Sequence, residues 1–512
     1  MILTRRSAVV SVAALAAGPA WGQAQPRRGG TLRVSVDQAV GVLNPLLTRV
    51  NPEYLVAELL YNGLTRLAPD MSAAPDLAQS WSANDGLTEW TFNLRSGVRF
   101  HDGSPCTARD VAATFAAILE AKTASPARPN IGPIDEVRAT DDSTVLFRLK
   151  GPYADLPVAL AYTNAKIIPA AIAGGGLDRL AREAVGTGPF KLAAYEPDRR
   201  VLAVRNQAYF DAPRPYVDRV EVLVYPDPTA ETSALIGGDT DLMSTTPAPE
   251  FVRLSGPAGV VPLRTPSGQF LNVNMRCDQK PWNDVRVRRA LALTVDREAL
   301  VGFIAEGYGT PGNDTPMNAA YRFHKELPQR TPDLAQAKQL LAAAGYPNGL
   351  DATLIASDRP GSRTQLGVAM REMAKPAGFR IDVQTMPHAT YLDQVWKKGA
   401  FYVGFYNMQA TADAIFSLLY TSDSAWNETR WNNPDFDKLV AEGRVTTDEG
   451  KRAALYGQAQ ALMHEQVPSV IPVFFDLLAG RRSWVEGFVL HPRGAVFRLD
   501  QVWLNGDAPR RS

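Results

Sequence analysis

The sequence GLTEWTFNLRSGVRFHDGSPCTARDVAATFAAIL, residues 86–119, carries the densest pattern of secondary-structure signals in the chain. Apolar and polar residues alternate over positions 90–94, which is typical of a strand with one buried face. The alternation resumes over positions 98–100, so the pattern predicts a second strand after a turn. Thr107, followed three residues later by Asp110, is typical of a helix that begins with a capping box. The stretch therefore predicts strand, turn, strand, turn and helix in succession.

Similar patterns predict further elements along the chain. Strands are expected at 31–36, 144–149, 201–205, 269–274, 379–384, 401–405 and 470–474. Helices are expected to begin at Asn51-Pro52, at Thr331-Pro332, at Asn433-Pro434 and at Asp448, since these residues are common at helix N-termini. Strands and helices alternate after position 267, which favours an α/β second lobe.

Several segments also resemble a known family. Residues 94–111 contain, in order, the letters LR, GV, FHDG, P, TA and DV, and residues 75–81 contain PDLA and SW. GTGPF at 186–190 and the VR and DR pairs within 285–297 extend the match. Together these segments resemble the extracytoplasmic solute-binding proteins, family 5, of peptide- and nickel-type ABC importers, and the resemblance covers nearly all of the mature chain.

The resemblance implies an α/β chain with the type II periplasmic binding protein fold, two lobes joined by a hinge. It places lobe I at residues 25–266 and 480–512, with an extra subdomain at about 62–180, and lobe II at 267–479. A small solute would bind between the lobes, and an inner-membrane ABC permease would recognise the closed form. We expect the protein to act as a monomer.

Residues 1–24 read as a signal peptide, because Arg5-Arg6 precedes a short apolar run and small residues. A twin-arginine signal and an ordinary secretory signal are both compatible with this segment. A membrane anchor is disfavoured because the run is short and is followed by Gly18 and Pro19. With no cysteine near the cleavage region, we expect a soluble periplasmic protein rather than a lipoprotein.

Composition limits the possible functions. The chain has 512 residues, 45% of them hydrophobic and 21% charged, which predicts two or three globular domains. The formal net charge is only +1, so a nucleic-acid or other polyanionic partner is not expected. The two cysteines, Cys106 and Cys277, are expected in different lobes as small buried thiols without a disulfide.

No motif indicates catalysis. The five histidines have no metal-ligand spacing, and there is no G-x-S-x-G elbow, C-x-x-C pair or dinucleotide fingerprint. His101-Asp102 is expected in a turn, and the glycines of 186–190 lack the context of a phosphate loop. The arginines of 285–289 alternate with apolar residues and are expected to be structural. The sequence therefore predicts binding without catalysis, with no cofactor and no metal.

The resemblance also draws attention to residues 405–413. In peptide binders of the family, an aspartate in this region holds the free amine of the peptide. Here Thr411 occupies the anchor's place, and the nearest acid, Asp413, lies two residues later. Asp413 could pair with an amine or could cap a helix. This departure weakens the case for a peptide ligand.

Further candidate ligand contacts come from both lobes. Tyr406, Asn407 and Met408 end a predicted strand beside the hinge, and Gln269 and Phe270 are weaker candidates for the same wall. Aromatic and methionine surfaces bind varied apolar groups.

Arg359 lies about where some dipeptide binders place an arginine for the peptide carboxylate, although an ion pair with Asp358 is as plausible. Leu43 and Asn44 belong to a loop that the family places near the cleft.

We therefore expect a periplasmic solute receptor of an ABC importer that captures a peptide or peptide-like solute. The first alternative keeps the receptor role but has a different ligand: a metal chelate, haem, an opine or a sugar. An envelope enzyme or a chaperone on the same scaffold is the remaining alternative.

Overall fold

The computed structural model describes residues 25–509. The predicted signal peptide, residues 1–24, lies outside the described residues. Among those described, no helix is both long and apolar enough to cross a bilayer.

Strands and helices alternate through most of the described chain. The strands are β1 (Thr31–Val36), β2 (Thr65–Leu67), β3 (Ala73–Pro75), β4 (Ala78–Ala83), β5 (Glu89–Leu94), β6 (Ile134–Ala139), β7 (Thr144–Leu149), β8 (Phe190–Glu196), β9 (Arg200–Arg205), β10 (Arg219–Val224), β11 (Leu242–Met243), β12 (Val260–Met275), β13 (Gly309–Pro311), β14 (Leu350–Ser357), β15 (Phe379–Met386), β16 (Phe401–Tyr406), β17 (Ser469–Arg482), β18 (Val485–Glu486) and β19 (Trp503–Leu504). The α-helices are α1 (Asn51–Leu60), α2 (Ala108–Leu119), α3 (Leu156–Ala159), α4 (Ala170–Ala173), α5 (Pro228–Gly237), α6 (Ala248–Leu254), α7 (Val285–Ala292), α8 (Arg297–Ile304), α9 (Leu334–Ala343), α10 (Ser362–Ala374), α11 (His388–Gln394), α12 (Ala412–Leu419), α13 (Pro434–Arg444) and α14 (Glu449–Gln466). The seven strands predicted outside residues 86–119 are all confirmed, and two of them, β1 and β7, have the predicted bounds.

Two large apolar cores divide the chain into lobes. The first core takes residues from 32–242 and again from 485–502 and defines lobe I. The second takes residues from 271–473 and defines lobe II. The chain thus leaves lobe I, builds lobe II and returns, as the two-lobed α/β fold requires. The individual lobe boundaries remain predictions.

Two long antiparallel strands connect the lobes. One eleven-stranded sheet has the order β15-β14-β16-β12-β17-β11-β1-β10-β9-β8, with β13 pairing separately on β17. The β12–β17 pairing extends from Val260–Arg482 to Asn274–Ser469, and its register shifts between Pro266 and Gln269. Ser267 and Gly268 have no partner in the ladder at this point, and such irregularities locally disrupt a strand pair.

The opening stretch builds a separate four-stranded sheet, β4-β5-β7-β6, which lies inside the predicted subdomain. Its strand β5 packs Phe92 against Phe147, with ring centroids 5.2 Å apart. The capping prediction is confirmed, since Asp110 accepts a hydrogen bond from the Thr107 N–H over 2.8 Å. The strand predicted at 98–100 is wrong. Arg99 forms only an isolated bridge with Pro105, whose missing N–H prevents a longer ladder.

Two helix starts differ from the prediction by small shifts. Asn51 is the first residue of α1 and Val50 is its cap, so the Asn51 side chain does not cap the helix. Helix α9 begins at Leu334 because Asp333, and not Thr331, accepts the Gln336 N–H. The Asn433 and Asp448 caps are confirmed.

Packing explains the glycine motif at 186–190. An added Cβ would lie 2.0 Å from the Leu60 carbonyl oxygen at Gly186 and 2.5 Å from the Leu59 carbonyl oxygen at Gly188. His101 reaches the same segment, with Nε2 3.1 Å from the Gly188 carbonyl oxygen. These residues hold the end of α1 against the turn, so the segment has a structural role, as expected from its lack of phosphate-loop context.

The arginines at 286–289 stabilise the fold. Arg288 is buried and donates to the carbonyl oxygens of Trp282 and Gln466, and Arg289 pairs with Glu465. Both cysteines are free thiols, as expected, but they are half-buried rather than fully buried. Burial raises the pKa of the Cys277 thiol to about 11, which keeps it protonated and weakly reactive.

Candidate functional site

A cavity of about 830 Å³ lies between the lobes, beside the β12–β17 crossing. Its volume is in the range of small-molecule sites. Residues of lobe I, of lobe II and of the connecting strand β17 all line it. The lining includes Arg49, Asn51, Tyr54, Asn130, Tyr162, Ser244, Thr246, Gln269, Tyr308, Pro360, Ser362, Phe405, Asn407, Met408, Gln409, Phe475, Asp476, Leu478, Phe488, His491, Arg493 and Val496.

Three of the predicted residues line this cavity. Gln269 Nε2 donates to Asn407 Oδ1 over 3.0 Å, which ties the two polar side chains together on the lobe II wall. Met408 lies behind them, and its sulfur accepts the Gly268 N–H over 3.4 Å. The side chains of the wall are therefore positioned by contacts at the strand crossing.

Tyr406 and Phe270 lie away from the main cavity. Phe270 is fully buried and packs against Phe474 and Tyr406. Tyr406 lines a side cavity of about 310 Å³, where its hydroxyl donates to the carboxylate of Glu428. Burial raises the pKa of Glu428 even though Tyr406 and Trp396 both donate to it.

The two residues at the predicted amine anchor have structural partners. Thr411 is the N-cap of α12, and its hydroxyl accepts the Ala414 N–H over 3.0 Å. Asp413 lies in the first turn of that helix, buried, with its carboxylate 3.0 Å from Arg444 Nε and 3.0 Å from Ser417 Oγ. Burial raises the pKa of Asp413, and the Arg444 guanidinium opposes this.

The remaining predicted residues do not line either cavity. Arg359 is exposed, while its neighbours Pro360 and Ser362 reach the cavity wall. Leu43 is buried in the lobe I core. Asn44 is also buried and turns the local chain, because its Oδ1 accepts the Leu46 N–H over 3.0 Å.

The lobe I wall was missed by the sequence reasoning. Arg493 lies with its guanidinium carbon 5.5 Å from the centroid of the Tyr162 ring, and Tyr54 and Arg49 line the same part of the cavity. These residues come from separate loops and a helix, so no short motif contains them. The turn before Arg493 is fixed by His491, whose Nδ1 accepts the Arg493 N–H over 3.2 Å.

The carboxylates near the cavity either pair with an arginine or lie behind the cavity wall. Asp476 lines the cavity, but it is hydrogen-bonded to Arg264, which also lies over the Tyr308 ring. Glu231 lies behind the wall beside Ser244 and Thr245 in a narrow crevice. Burial raises the pKa of Glu231 to about 7, so this group is only partly charged at neutral pH.

Comparison with known proteins identifies the family. Residues 72–429 match the model of the bacterial extracellular solute-binding proteins, family 5 Middle. The chain belongs to this family. Family 5 proteins are the solute-binding components of ABC importers, and this chain has that role.

Similar proteins extend the match over nearly the whole length. A probable deoxycholate-binding periplasmic protein of Escherichia coli (strain K12) is 29% identical over 89% of this chain and 90% of its own. The dipeptide-binding protein of the same strain is 26% identical over 88% of this chain and 90% of its own. Among solved structures, HbpA2 from Haemophilus parasuis superposes with a TM-score of 0.85 at 23% identity, covering 93% of this chain and all of that one (100%).

These relatives are binding proteins, and the cavity of this family 5 chain is consistent with binding. Within residues 25–509, no group of three or more His, Cys, Asp or Glu side chains could hold a metal ion. The polar groups that line the cavity are amides, hydroxyls, phenols, arginines, His491 and the paired Asp476, and such groups can form hydrogen bonds and ion pairs with a solute.

Proposed function

We propose that this protein captures a small peptide or peptide-like solute in the periplasm, encloses it between its two lobes and delivers it to an inner-membrane ABC permease. The observation that carries the proposal is the cavity of about 830 Å³, whose walls come from both lobes. A solute in this position contacts both lobes at once, and it therefore stabilises the arrangement in which they are close together.

The connection between the lobes supports closure by a hinge. β12 and β17 cross from one core to the other, and their regular pairing is interrupted between Pro266 and Gln269. Hinges are a few residues that absorb backbone changes while the lobes stay rigid. The solute contact Gln269 lies at this interruption, so ligand binding and lobe movement are coupled through the same residue.

The location and the absence of catalysis are part of the proposal. The basic and apolar pattern of residues 1–24 supports export, and the relatives include proteins named as periplasmic. A monomer without a cofactor is sufficient for capture and delivery. The enzyme alternative would require a base that activates one of the lining hydroxyl groups. Among the described lining residues, the carboxylate of Asp476 is engaged by Arg264, and the ring nitrogens of His491 contact the Ala68 carbonyl oxygen and the Arg493 N–H.

A non-peptide solute is the second candidate. The position of the peptide-amine anchor is held by Thr411, whose hydroxyl caps α12, and Asp413 is engaged by Arg444. The similarity to a probable deoxycholate-binding protein is compatible with a solute that has no amine.

Titration calorimetry combined with small-angle X-ray scattering tests the proposal. We expect a peptide or a non-peptide amphiphile to bind at one site per chain, to reduce the radius of gyration, and to be recovered unchanged. Turnover of the bound compound, or saturable binding without any compaction, would contradict capture by lobe closure.

A further inference from the structure

The cavity has cationic side chains without matching acids. Arg49 and Arg493 line it, and neither guanidinium makes an ion pair or hydrogen bond within residues 25–509. Resting on the proposed receptor function, we propose that the solute is an amphipathic anion whose carboxylate is bound by Arg493 together with Tyr162 and Tyr54. A free amine on the solute is not required.

Arg493 is held in place but is not neutralised. Its backbone N–H is bound by His491, and the His491 carbonyl oxygen accepts the Gly494 N–H over 2.8 Å, which closes a turn. The guanidinium lies against the Tyr162 ring. A cation stacked in this way keeps N–H groups free for a planar, two-point contact with a carboxylate.

Two phenols complete the anion site. Tyr54 and Tyr162 are partly buried in the cavity wall, and their hydroxyl groups have no hydrogen-bond partner in the described chain. Burial and the proximity of Tyr162 raise the pKa of Tyr54 to about 12, so the hydroxyl stays protonated and can donate. The guanidinium offers only donors, and the protonated phenols can donate as well, so a carboxylate can accept from all three groups. An ammonium group could donate to the phenol oxygens but would be repelled by the guanidinium.

The acids nearest the cavity form no ion pair with Arg49 or Arg493. The Glu53 carboxylate accepts the Arg49 backbone N–H over 2.7 Å. Asp476 is bound to Arg264, and Glu231 lies behind the wall with its pKa raised to about 7. When the lobes close and exclude water, an unpaired arginine in the cavity would lose its hydration. An anionic solute compensates that loss, whereas a cation would add to the charge.

Apolar groups make up the rest of the site. Phe405, Phe475, Leu478 and Phe488 also line the cavity. A solute with one anionic group and an apolar body would contact both surfaces. The carboxyl end of an amine-blocked peptide and a bile-acid-like amphiphile share this chemistry.

Five probe compounds separate the effect of the solute's charge from that of its apolar body. N-acetyl-alanyl-phenylalanine and deoxycholate are anions; N-acetyl-alanyl-phenylalanine amide and deoxycholate methyl ester are neutral; alanyl-phenylalanine amide is a cation. We expect at least one anion to bind at least tenfold more tightly by calorimetry than its neutral partner, and the cation to bind most weakly. The anion that binds shows whether the site prefers a peptide or a steroid body.

Two variants locate the contact. Arg493→Gln should reduce the affinity for the anion at least tenfold and leave that for its neutral partner unchanged. Arg219→Gln is the matched control, because Arg219 is exposed on β10 of the same lobe and makes no ion pair in the described chain. It should bind as the wild type does.

Three results would overturn the inference: equal binding of anion and neutral partner, preference for the cation, or no binding of any probe. An anion that binds equally well to Arg493→Gln would overturn the assignment of Arg493. In these cases the receptor function would still stand if another solute bound and compacted the protein. The experiments can therefore disprove the anion site without disproving the receptor function.

Discussion

Arg452 of lobe II and Asp155 of the lobe I subdomain form a buried ion pair, with 2.7 Å between Arg452 Nη2 and Asp155 Oδ1. Their side chains are only 9% and 6% exposed. Next to this pair, the Ala154 N–H donates to the Arg444 carbonyl oxygen over 2.9 Å. The two lobes are thus joined by polar contacts as well as by the strand crossing.

Breaking this ion pair should favour the open arrangement. We expect Asp155→Asn to weaken solute binding at least several-fold and to increase the radius of gyration in scattering, because Arg452 would be left unpaired when the lobes are together. Loss of one partner of a buried pair typically costs about 3–5 kcal/mol. Arg380→Gln is the control, since Arg380 pairs with Asp351 at an exposed site within lobe II. Unchanged affinity and dimensions in Asp155→Asn would show that the pair does not contribute to closure.

Asp413 should act on stability and not on recognition of an amine. Its carboxylate is engaged by Arg444 and Ser417, so we expect Asp413→Asn to lower the free energy of unfolding by about 1–3 kcal/mol. Amine-blocked peptides should bind as well as free ones in the wild type. Denaturant unfolding and calorimetry on matched peptides measure both effects. A variant of normal stability that selectively loses free-amine ligands would assign Asp413 to the ligand.

Gly268 is required by the strand crossing. An added Cβ would lie 2.4 Å from Tyr321 Cε2 and 2.8 Å from Met408 Cγ. Gly268→Ala should therefore destabilise the protein by about 1–3 kcal/mol and weaken binding, because Met408 lines the cavity. Gly256→Ala is a suitable control, since nothing lies within 4 Å of its added Cβ. Equal melting temperatures for the two variants would contradict this packing argument.

His491 should make stability depend on pH. Burial lowers the pKa of His491 from 6.5 to about 4, and the side chain is only 4% exposed. The unfolded chain therefore binds the proton more readily than the folded one. The contribution of neutral His491 to the free energy of unfolding is complete above about pH 6.5 and is lost as the pH falls towards 4. The contribution is at most about 3 kcal/mol. Chemical denaturation between pH 7 and 4 should show a shallower decline in His491→Gln. An identical decline in both proteins would show that other groups cause it.

Local signals predicted the elements well because they involve neighbouring residues. The capping pair Thr107 and Asp110, the Asn433 cap and the alternation in β7 all act within a few residues, and the structure confirms each. The strand predicted at 98–100 failed for an equally local reason, the missing N–H of Pro105. The family resemblance supplied the two-lobed topology, which alternation alone would not define.

The site was predictable only in part because its residues are distant in sequence. Asn407, Met408 and Gln269 lie at the ends of recognisable strands, and the structure brings them to the cavity. Arg493 and Tyr162 meet only after the chain has returned to lobe I, so no spacing rule relates them.

Asp413 illustrates the converse problem. Its position relative to the family pattern suggested that it contacts the ligand. Its actual partner is Arg444, the last residue of the following helix α13.

Native mass spectrometry of the freshly purified protein tests the central claim most directly. A receptor that encloses its solute between two lobes should retain it during purification, so we predict a second species heavier than the chain by the mass of one small molecule, on the order of a few hundred daltons. Mild activation should release that molecule intact. A single species at the mass of the chain alone, together with no stabilisation by any peptide or amphiphile tested, would contradict the account of this protein as a solute receptor.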